Sequence, residues 1–337
     1  MIRLFSAFFI AFCTSASAGD YRLTKVGDAG SAKTNAEMPL ATNCRQSSCK
    51  TIKMPARLLA PLQEAKDVAV GNMPAALYDG KVALPPKGTI NGLAYFANQT
   101  KRYAHGILGD AVEAGSLVTW LEGSSPKGKP SVFDLPEDEV FEDLYPRIVD
   151  FEGSGIFHFV TLQSKHGNGA SIAIYETKNG ELELAAQTPY IGRQNRWRNI
   201  AGMADFTGDG HIEIAEVVTP HIGGTLNFWT WKGGKLELKA SRFGFSNHFI
   251  GSRELELSAV ADFDNDGVDD LALPDDSRHS LVIVGFDGLA RGEKTLKEIA
   301  RIPLPARIDK RIFVHDGGDG PVLTLGLSDD SVWAVHQ

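Results

Sequence analysis

The sequence is poor in cysteine and lacks an excess of positive charge. Its 337 residues include 3 cysteines, and 42 acidic residues outnumber 34 basic ones, giving a net charge of −8. An acidic chain without a basic tract has little attraction for phosphate backbones, so nucleic acid is not expected as a partner. With 43% hydrophobic residues, the composition excludes a wholly disordered or fibrous chain.

Long apolar segments are also lacking, apart from a short one at the start. Residues 1–18 combine Arg3, an apolar stretch from Leu4 to Phe12 and a small-residue site that ends at Ala18. This pattern predicts a signal peptide cleaved after Ala18 and a periplasmic or secreted protein. A buried first strand is the alternative. The stretch is about half of the ~20 residues that cross a bilayer, so no membrane span is expected in the mature chain.

Removal of this leader takes away Cys13 and leaves two cysteines, Cys44 and Cys49. Two cysteines separated by four residues in an oxidising compartment predict a short-loop disulfide. A redox CxxC motif has a different spacing, and a metal site needs further ligands nearby. The pair lies in residues 19–54, which we treat as a polar N-terminal extension, and residues 55–337 are expected to form the main domain.

The familiar signatures of catalysis are missing. None of the 9 histidines falls in an HExxH motif, and the chain has no GxSxG elbow, glycine-rich phosphate loop or dinucleotide fingerprint. The sequence therefore predicts a protein that is not an enzyme, with no catalytic or cofactor-binding residues.

Helical periodicity is absent too, and short alternating strands take its place. Leu226, Phe228 and Thr230 alternate with Asn227 and Trp229, and the 35 glycines and 16 prolines supply frequent turns. Period-2 alternation between turns is typical of β-strands. The chain is therefore expected to be all-β.

The strands belong to an internal repeat. Asp205 and Asp262 occupy equivalent places in two similar segments, and weaker copies surround Asp150 and Asp316. A repeat of roughly fifty residues with four strands is the size of a propeller blade. We expect a β-propeller of about five four-stranded antiparallel blades, closed by pairing of the final strand, residues 331–337, with an early one. A repetitive pair of β-sandwiches is the alternative.

The strongest copy of the repeat contains a DxDxDG loop. Ca²⁺ takes six to eight oxygen ligands, and carboxylates at the first, third, fifth and ninth positions can converge while glycine at the sixth permits the turn. A solvated acidic turn is the alternative. The predicted calcium ligands are Asp262, Asp264, Asp266, the Val268 carbonyl and Asp270.

An earlier copy has fewer charges, so we expect weaker calcium binding there. Its predicted ligands are Asp205, Thr207, Asp209, the His211 carbonyl and Glu213. The copies at Asp150 and Asp316 have lost too many oxygen ligands and are expected to be plain turns.

These segments resemble the FG-GAP, or VCBS-type, repeats of integrin-alpha-like β-propellers. The resemblance rests on VADFDNDGVDDLALPD (Val260–Asp275) and MADFTGDGHIEIAEVVTP (Met203–Pro220). It implies a propeller with structural calcium between the first two strands of a blade. The chain is also similar to bacterial exported FG-GAP proteins in the segments Tyr103–Asp110, Asn195–Trp197, Thr219–Gly224 and Ser246–Arg253.

A candidate binding surface lies in the connections before the acidic loops. If these connections share one face, their polar and aromatic side chains form a shallow surface; packing between blades is the alternative explanation. The residues are Asn195, Arg196, Trp197, His221, Asn247 and His248. The sequence thus favours a calcium-stabilised propeller that binds a protein or glycan. The alternatives are a secreted hydrolase or lyase with a site at the propeller centre, and a structural subunit of an envelope assembly.

Overall fold

The computed structural model describes residues 21–28, 42–45, 48–51, 62–64, 74–77, 80–123, 129–288, 294–318 and 320–337. Throughout these residues the regular elements are β-strands, which confirms the all-β fold. The strands are β1 (Arg22–Asp28), β2 (Thr42–Arg45), β3 (Ser48–Thr51), β4 (Leu62–Glu64), β5 (Lys81–Ala83), β6 (Gly92–Thr100), β7 (Glu113–Leu121), β8 (Ser131–Asp134), β9 (Glu139–Phe141), β10 (Arg147–Val149), β11 (His158–Lys165), β12 (Gly169–Lys178), β13 (Glu181–Gln187), β14 (Arg198–Ala204), β15 (Glu213–Val218), β16 (Gly224–Lys232), β17 (Lys235–Phe245), β18 (Ala259–Ala261), β19 (Asp270–Pro274), β20 (Ser280–Gly288), β21 (Lys294–Pro303), β22 (Ile308–Asp316), β23 (Pro321–Leu327) and β24 (Ser331–His336).

The strands form antiparallel units of about four, as a β-propeller requires. Strands β14 to β17 and β18 to β21 each form one sheet in chain order, and β22, β23 and β24 form another with β1. The first two units, β4 to β8 and β10 to β13, share a larger sheet because β9 pairs with both β7 and β11. We refer to the five units, in chain order, as blades one to five.

Blade five takes its outer strand from the start of the described chain. Leu23 of β1 lies opposite Val335 of β24, so the final strand pairs with an early one, as expected. Residues 22–28 fall in the segment that the sequence division assigns to the N-terminal extension. That segment therefore contributes a strand to the last sheet.

The cysteine-containing segment forms a short hairpin. Strands β2 and β3 pair so that Cys44 stands opposite Cys49. The disulfide itself stays a prediction, and the signal peptide, residues 1–18, lies outside the described residues.

The core is divided among the interfaces between neighbouring blades. One buried cluster joins blades one and two through residues such as Phe96 and Phe159, and another joins blades two and three through Ile174 and Ile214. Two further clusters connect blade three to four and blade four to five. Because each sheet buries apolar side chains against its neighbours, the blades depend on one another for stability.

Antiparallel order divides the connections between two edges of the blades. Strands within a blade alternate in direction, so the connection between its first and second strands lies at the opposite edge from the one between its second and third. We call the edge with the first-to-second connections the lower edge, and it carries residues 150–157, 205–212 and 262–269. The upper edge carries residues 101–112, 135–138, 166–168, 188–197, 219–223, 246–258, 275–279, 304–307 and 328–330. Residues 142–146 join β9 to β10 alongside β11.

Candidate functional site

The lower-edge loops share one hydrogen-bonded turn. Asp262 Oδ1 and Oδ2 accept from the backbone N–H groups of Asp266 and Gly267, each at 3.0 Å. Asp205 and Asp150 make the equivalent pairs of bonds in their own loops. The first aspartate of each repeat therefore closes its turn, whether or not the loop holds a metal.

A phenylalanine after this aspartate anchors each of the three loops. Phe151, Phe206 and Phe263 are at most 3% exposed. Burying such a side chain stabilises the fold by about 1.5–3 kcal/mol. The pair formed by an aspartate cap and a buried phenylalanine explains why the turn persists in copies that have lost their other acids.

The strongest acidic loop brings three carboxylates together. Ligand oxygens of Asp262, Asp264 and Asp270 all lie within 4.8 Å of one another. Asp266 is outside this group, and its Oδ1 instead accepts the Val268 N–H at 2.9 Å. Of the four predicted side-chain ligands, three therefore converge in the structure.

The chemistry of these three carboxylates fits a hard cation. Asp264 Oδ1 is buried and has no hydrogen-bond partner, while Lys297 lies 3.2 Å from Oδ2. Burial, with the charges of Asp264 and Asp266, raises the pKa of Asp270 to about 7. A side chain at position 285 would collide with the Asp270 carboxylate, so Gly285 leaves it room. Crowded, buried carboxylate oxygens are the ligands that Ca²⁺ prefers.

In the earlier acidic loop, the carboxylate oxygens of Asp209 and Glu213 form hydrogen bonds with neighbouring residues. Glu213 accepts hydrogen bonds from Thr230 Oγ1 at 2.8 Å and from the Thr207 N–H at 3.2 Å. Asp209 pairs with His211, whose Nδ1 lies 3.1 Å away. Among the described residues, no group of three acids with converging ligand atoms includes this loop. Its weaker calcium site stays a prediction.

On the upper edge, residues 101–112 of blade one reach across to the connection before blade four. Gly251 N–H donates to the Ile107 carbonyl at 2.9 Å, and Arg253 donates to the Leu108 carbonyl at 3.0 Å. A Cβ at Gly109 would lie 2.9 Å from the Gly251 carbonyl oxygen, so the close approach requires glycine. Because blades one and four are not neighbours, this loop covers the centre of the upper edge.

A histidine and a glutamate meet under this loop. His105 Nδ1 lies 2.6 Å from Glu142 Oε1, and Ser164 Oγ donates to the other carboxylate oxygen. The Trp197 indole donates to the Glu142 carbonyl at 3.0 Å. Glu142 is 0% exposed, and the His105 side chain is 13% exposed. No described residue hydrogen-bonds His105 Nε2, so that nitrogen is left for a ligand or water.

A second pair of histidines packs beside Trp197. His221 Nε2 lies 2.9 Å from His248 Nδ1, and His248 Nε2 lies 2.9 Å from the Ser252 carbonyl. The carbonyl only accepts, so His248 carries its proton on Nε2 and accepts from His221 through Nδ1. His221 Nδ1 is then an acceptor. Burial lowers the pKa of His248 to about 4, and burial together with His248 lowers that of His221 to about 3.

Of the other predicted surface residues, Asn247 and Trp197 are buried between blades, whereas Asn195 is exposed and Arg196 is half-buried. The side chain of Asn247 donates to the carbonyls of Asn199 and Ile200, and Trp197 is 2% exposed. Asn195 donates its N–H to the Tyr103 hydroxyl, the Arg196 guanidinium donates to the Asn195 carbonyl, and the Arg196 carbonyl accepts from the Ala170 N–H. Of the six residues, the structure brings Trp197, His221 and His248 together.

The propeller axis below is polar. The Tyr145 hydroxyl donates to Glu256 at 3.0 Å, and Arg311 pairs with the other oxygen of the same carboxylate. Burial, followed by the neighbouring charge of Glu256, raises the pKa of Glu254. These groups satisfy one another, in contrast to His105 above them.

His105, Glu142 and Ser164 were not found by sequence reasoning. The histidine lies in the Tyr103–Asp110 segment, which was singled out as a motif, but its partner is on another connection. No short spacing links the two residues, so only the fold reveals the pair.

Comparisons with known proteins provide little information. No family model matches the chain, and no curated protein matches it. Among solved structures, the crystal structure of an exotype rhamnogalacturonan lyase is similar at 12% sequence identity and a TM-score of 0.40, covering 72% of this chain and 52% of that one. The chain thus spans about half the length of the matched structure.

These findings bear on two predictions from the sequence, the absence of enzymatic activity and the resemblance to FG-GAP repeats. The matched protein is a lyase, which contradicts the prediction that this chain is not an enzyme. The FG-GAP resemblance stays a prediction. Within the described part of the chain, no helix has the length and apolar character needed to cross a bilayer.

Proposed function

We propose that the protein is an exported enzyme, a hydrolase or lyase acting on a polysaccharide or phosphoester, with His105 as its general base. The observation that carries this proposal is the His105–Glu142 pair. A buried carboxylate bound to one imidazole nitrogen, with the other nitrogen unpartnered, is an arrangement that suits proton abstraction.

The pair fixes the tautomer that a base requires. An ionised carboxylate only accepts hydrogen bonds, so His105 carries its proton on Nδ1 and presents an unprotonated Nε2. In hydrolysis Nε2 would take a proton from water. In elimination it would take the proton from a carbon next to a carbonyl or carboxylate group. Glu142 stabilises the imidazolium that either step forms.

The surrounding contacts hold Glu142 in place. Ser164 Oγ, on β11, donates to its side chain, and the Trp197 indole, in the connection before blade three, donates to its backbone carbonyl. A carboxylate held on both sides keeps the imidazole oriented, which makes Glu142 a positioning residue.

His221 supplies a second acceptor near this base. Its Nδ1 stays unprotonated at neutral pH because burial and His248 lower its pKa, and His105 contributes to the same lowering. The upper edge thus offers one imidazole nitrogen, His105 Nε2, that can accept a proton, and a second, His221 Nδ1, that can accept a hydrogen bond from a substrate.

We also propose structural calcium on the lower edge, held by Asp262, Asp264 and Asp270. The buried, unpartnered Asp264 Oδ1 supports this, together with the crowding that raises the pKa of Asp270. Calcium would screen the three carboxylates from one another and fix the turn. Because this loop is at the opposite edge from His105, the ion contributes to stability and takes no part in the proposed reaction.

Product analysis of the purified protein tests the enzymatic proposal. We would incubate it with neutral polysaccharides, uronic-acid polysaccharides and phosphoesters. New reducing ends without ultraviolet absorbance indicate hydrolysis, whereas a new conjugated double bond indicates elimination. Released phosphate indicates phosphoester cleavage. If no substrate of any class turns over above a boiled control, the proposal is rejected.

A further inference from the structure

An arginine on the upper edge of blade four occupies an unusual turn. Arg278 has a φ of 60°, in the left-handed region that non-glycine residues rarely adopt. Its N–H donates to the Asp275 carbonyl, and its own carbonyl accepts from the Ile308 N–H, each at 2.9 Å. The turn is therefore fixed to the connection that follows it, and the position of the arginine is built into the fold.

The guanidinium is held by its face and one edge. It lies 4.9 Å above the Phe249 ring, and one of its nitrogens donates to the Ile308 carbonyl at 3.5 Å. Stacking on an aromatic ring positions an arginine while leaving other N–H groups available.

Nearby carboxylates are engaged elsewhere. Asp275 accepts from the backbone of its own turn and from Arg301, and Asp309 lies 3.1 Å from the Lys310 ammonium. No carboxylate forms an ion pair with Arg278 in the described part of the chain. The charge of Arg278 is therefore left without a direct counterion.

A second arginine adds positive charge at the same place. Arg307 is exposed and directly precedes Ile308, whose carbonyl binds the Arg278 side chain. Burial, and then the charge of Arg307, lowers the pKa of Arg278, while the nearby Asp309 carboxylate, which forms no ion pair with Arg278, partly offsets this. Two cations held close together without a paired carboxylate cost free energy that a bound anion would recover.

The arginine is continuous with the candidate active site. The Phe249 ring beneath Arg278 stacks on His248 with centroids 6.2 Å apart, and His248 binds His221. The charge of Arg278 also contributes to the lowered pKa of both histidines.

We propose that Arg278, with Arg307 beside it, binds an oxyanion group of the ligand, a carboxylate, sulfate or phosphate, on the upper edge next to the His221–His248 pair. This inference deepens the proposed function by naming the charge of the substrate. Its test measures binding alone, so its failure and the failure of the catalytic proposal can be told apart.

The test is calorimetric titration of the wild type and three variants with tri-galacturonate, inorganic phosphate and inorganic sulfate, and with a neutral trisaccharide as control. Arg278→Gln removes the proposed anchor. Arg307→Gln removes an exposed charge, so it remains informative if the first variant folds poorly. Arg193→Gln is the matched control, because Arg193 is exposed on the same edge in blade two's connection. Thermal melts report whether each variant is folded.

We expect at least one anionic probe to bind the wild type. Arg278→Gln should weaken that binding on the order of tenfold or more, since hydrogen bonds to charged groups are strong. Arg307→Gln should weaken it several-fold, and Arg193→Gln should leave it unchanged. The probe that binds identifies the oxyanion. Absence of anion binding at millimolar concentration, unchanged binding in folded Arg278→Gln, or an equal loss in Arg193→Gln would overturn the proposal.

Discussion

His221 and His248 on the upper edge are neutral imidazoles at neutral pH. Burial lowers the pKa of His248 to about 4 and contributes most to lowering that of His221 to about 3. In the unfolded chain both groups titrate near ~6.5, so below that pH the unfolded state binds more protons than the folded one. The free energy of unfolding should therefore fall as the pH drops below ~6.5. The part of this fall that comes from His248 should be complete near pH 4, where the folded protein also binds the proton.

A His248→Asn variant measures this effect. Asparagine does not titrate, so the stability difference between wild type and variant should narrow by up to about 2 kcal/mol between pH 7 and pH 5. Urea unfolding at several pH values gives the two curves, with His336→Asn as a control for an unrelated histidine. Parallel curves for wild type and His248→Asn would show that His248 is not held neutral.

Among the elements, the lower-edge loop after β18 is the one that a metal would stabilise. Asp264→Asn keeps the shape of the side chain but removes the charge of the buried oxygen, so we expect it to abolish calcium stabilisation. At a hundredfold excess over the dissociation constant, one site adds about 2.7 kcal/mol to the wild type. Thermal melts in calcium, magnesium and excess EDTA measure this.

The matched control is Asp209→Asn in the earlier loop. Among the described residues, that loop has no three carboxylates with converging oxygens. It should retain the calcium shift of the strong site. A wild type with the same melting temperature in calcium and EDTA, or an unchanged calcium shift in Asp264→Asn, would contradict the calcium proposal.

The two edges differ in how far the sequence could predict them. The converging lower-edge carboxylates lie within one loop, so the spacing of acids at its first, third and ninth positions was enough to predict that Asp262, Asp264 and Asp270 meet. Residue spacing could not show that Asp266 accepts the Val268 N–H instead of joining the other carboxylates. Nor could it show that Glu213 bonds to Thr230, which lies directly opposite it on the next strand.

The upper edge depends on contacts between blades. His105 and Glu142 are 37 positions apart, and His221 and His248 are 27 apart, on different connections. The repeats predicted that such connections share a face, but not which side chains meet there. For the same reason, the search for short catalytic motifs did not find the His105–Glu142 pair.

On the scale of the whole molecule, the fold separates stability from chemistry. Antiparallel blades place the acidic turns on the lower edge and the histidines and Arg278 on the upper edge. The loop of residues 101–112 covers the centre of the upper edge and carries His105. The proposed site is therefore on the upper edge and is distinct from the polar cluster around Glu256.

The most direct test of this account is the turnover of His105→Asn on whichever substrate the wild type cleaves. Loss of a general base predicts a fall in kcat on the order of 10²–10⁴-fold, with an unchanged melting temperature. His336→Asn, a histidine of the last strand, should keep wild-type turnover. Wild-type turnover by a folded His105→Asn variant would show that His105 is not the base and that the upper edge is not the site proposed here.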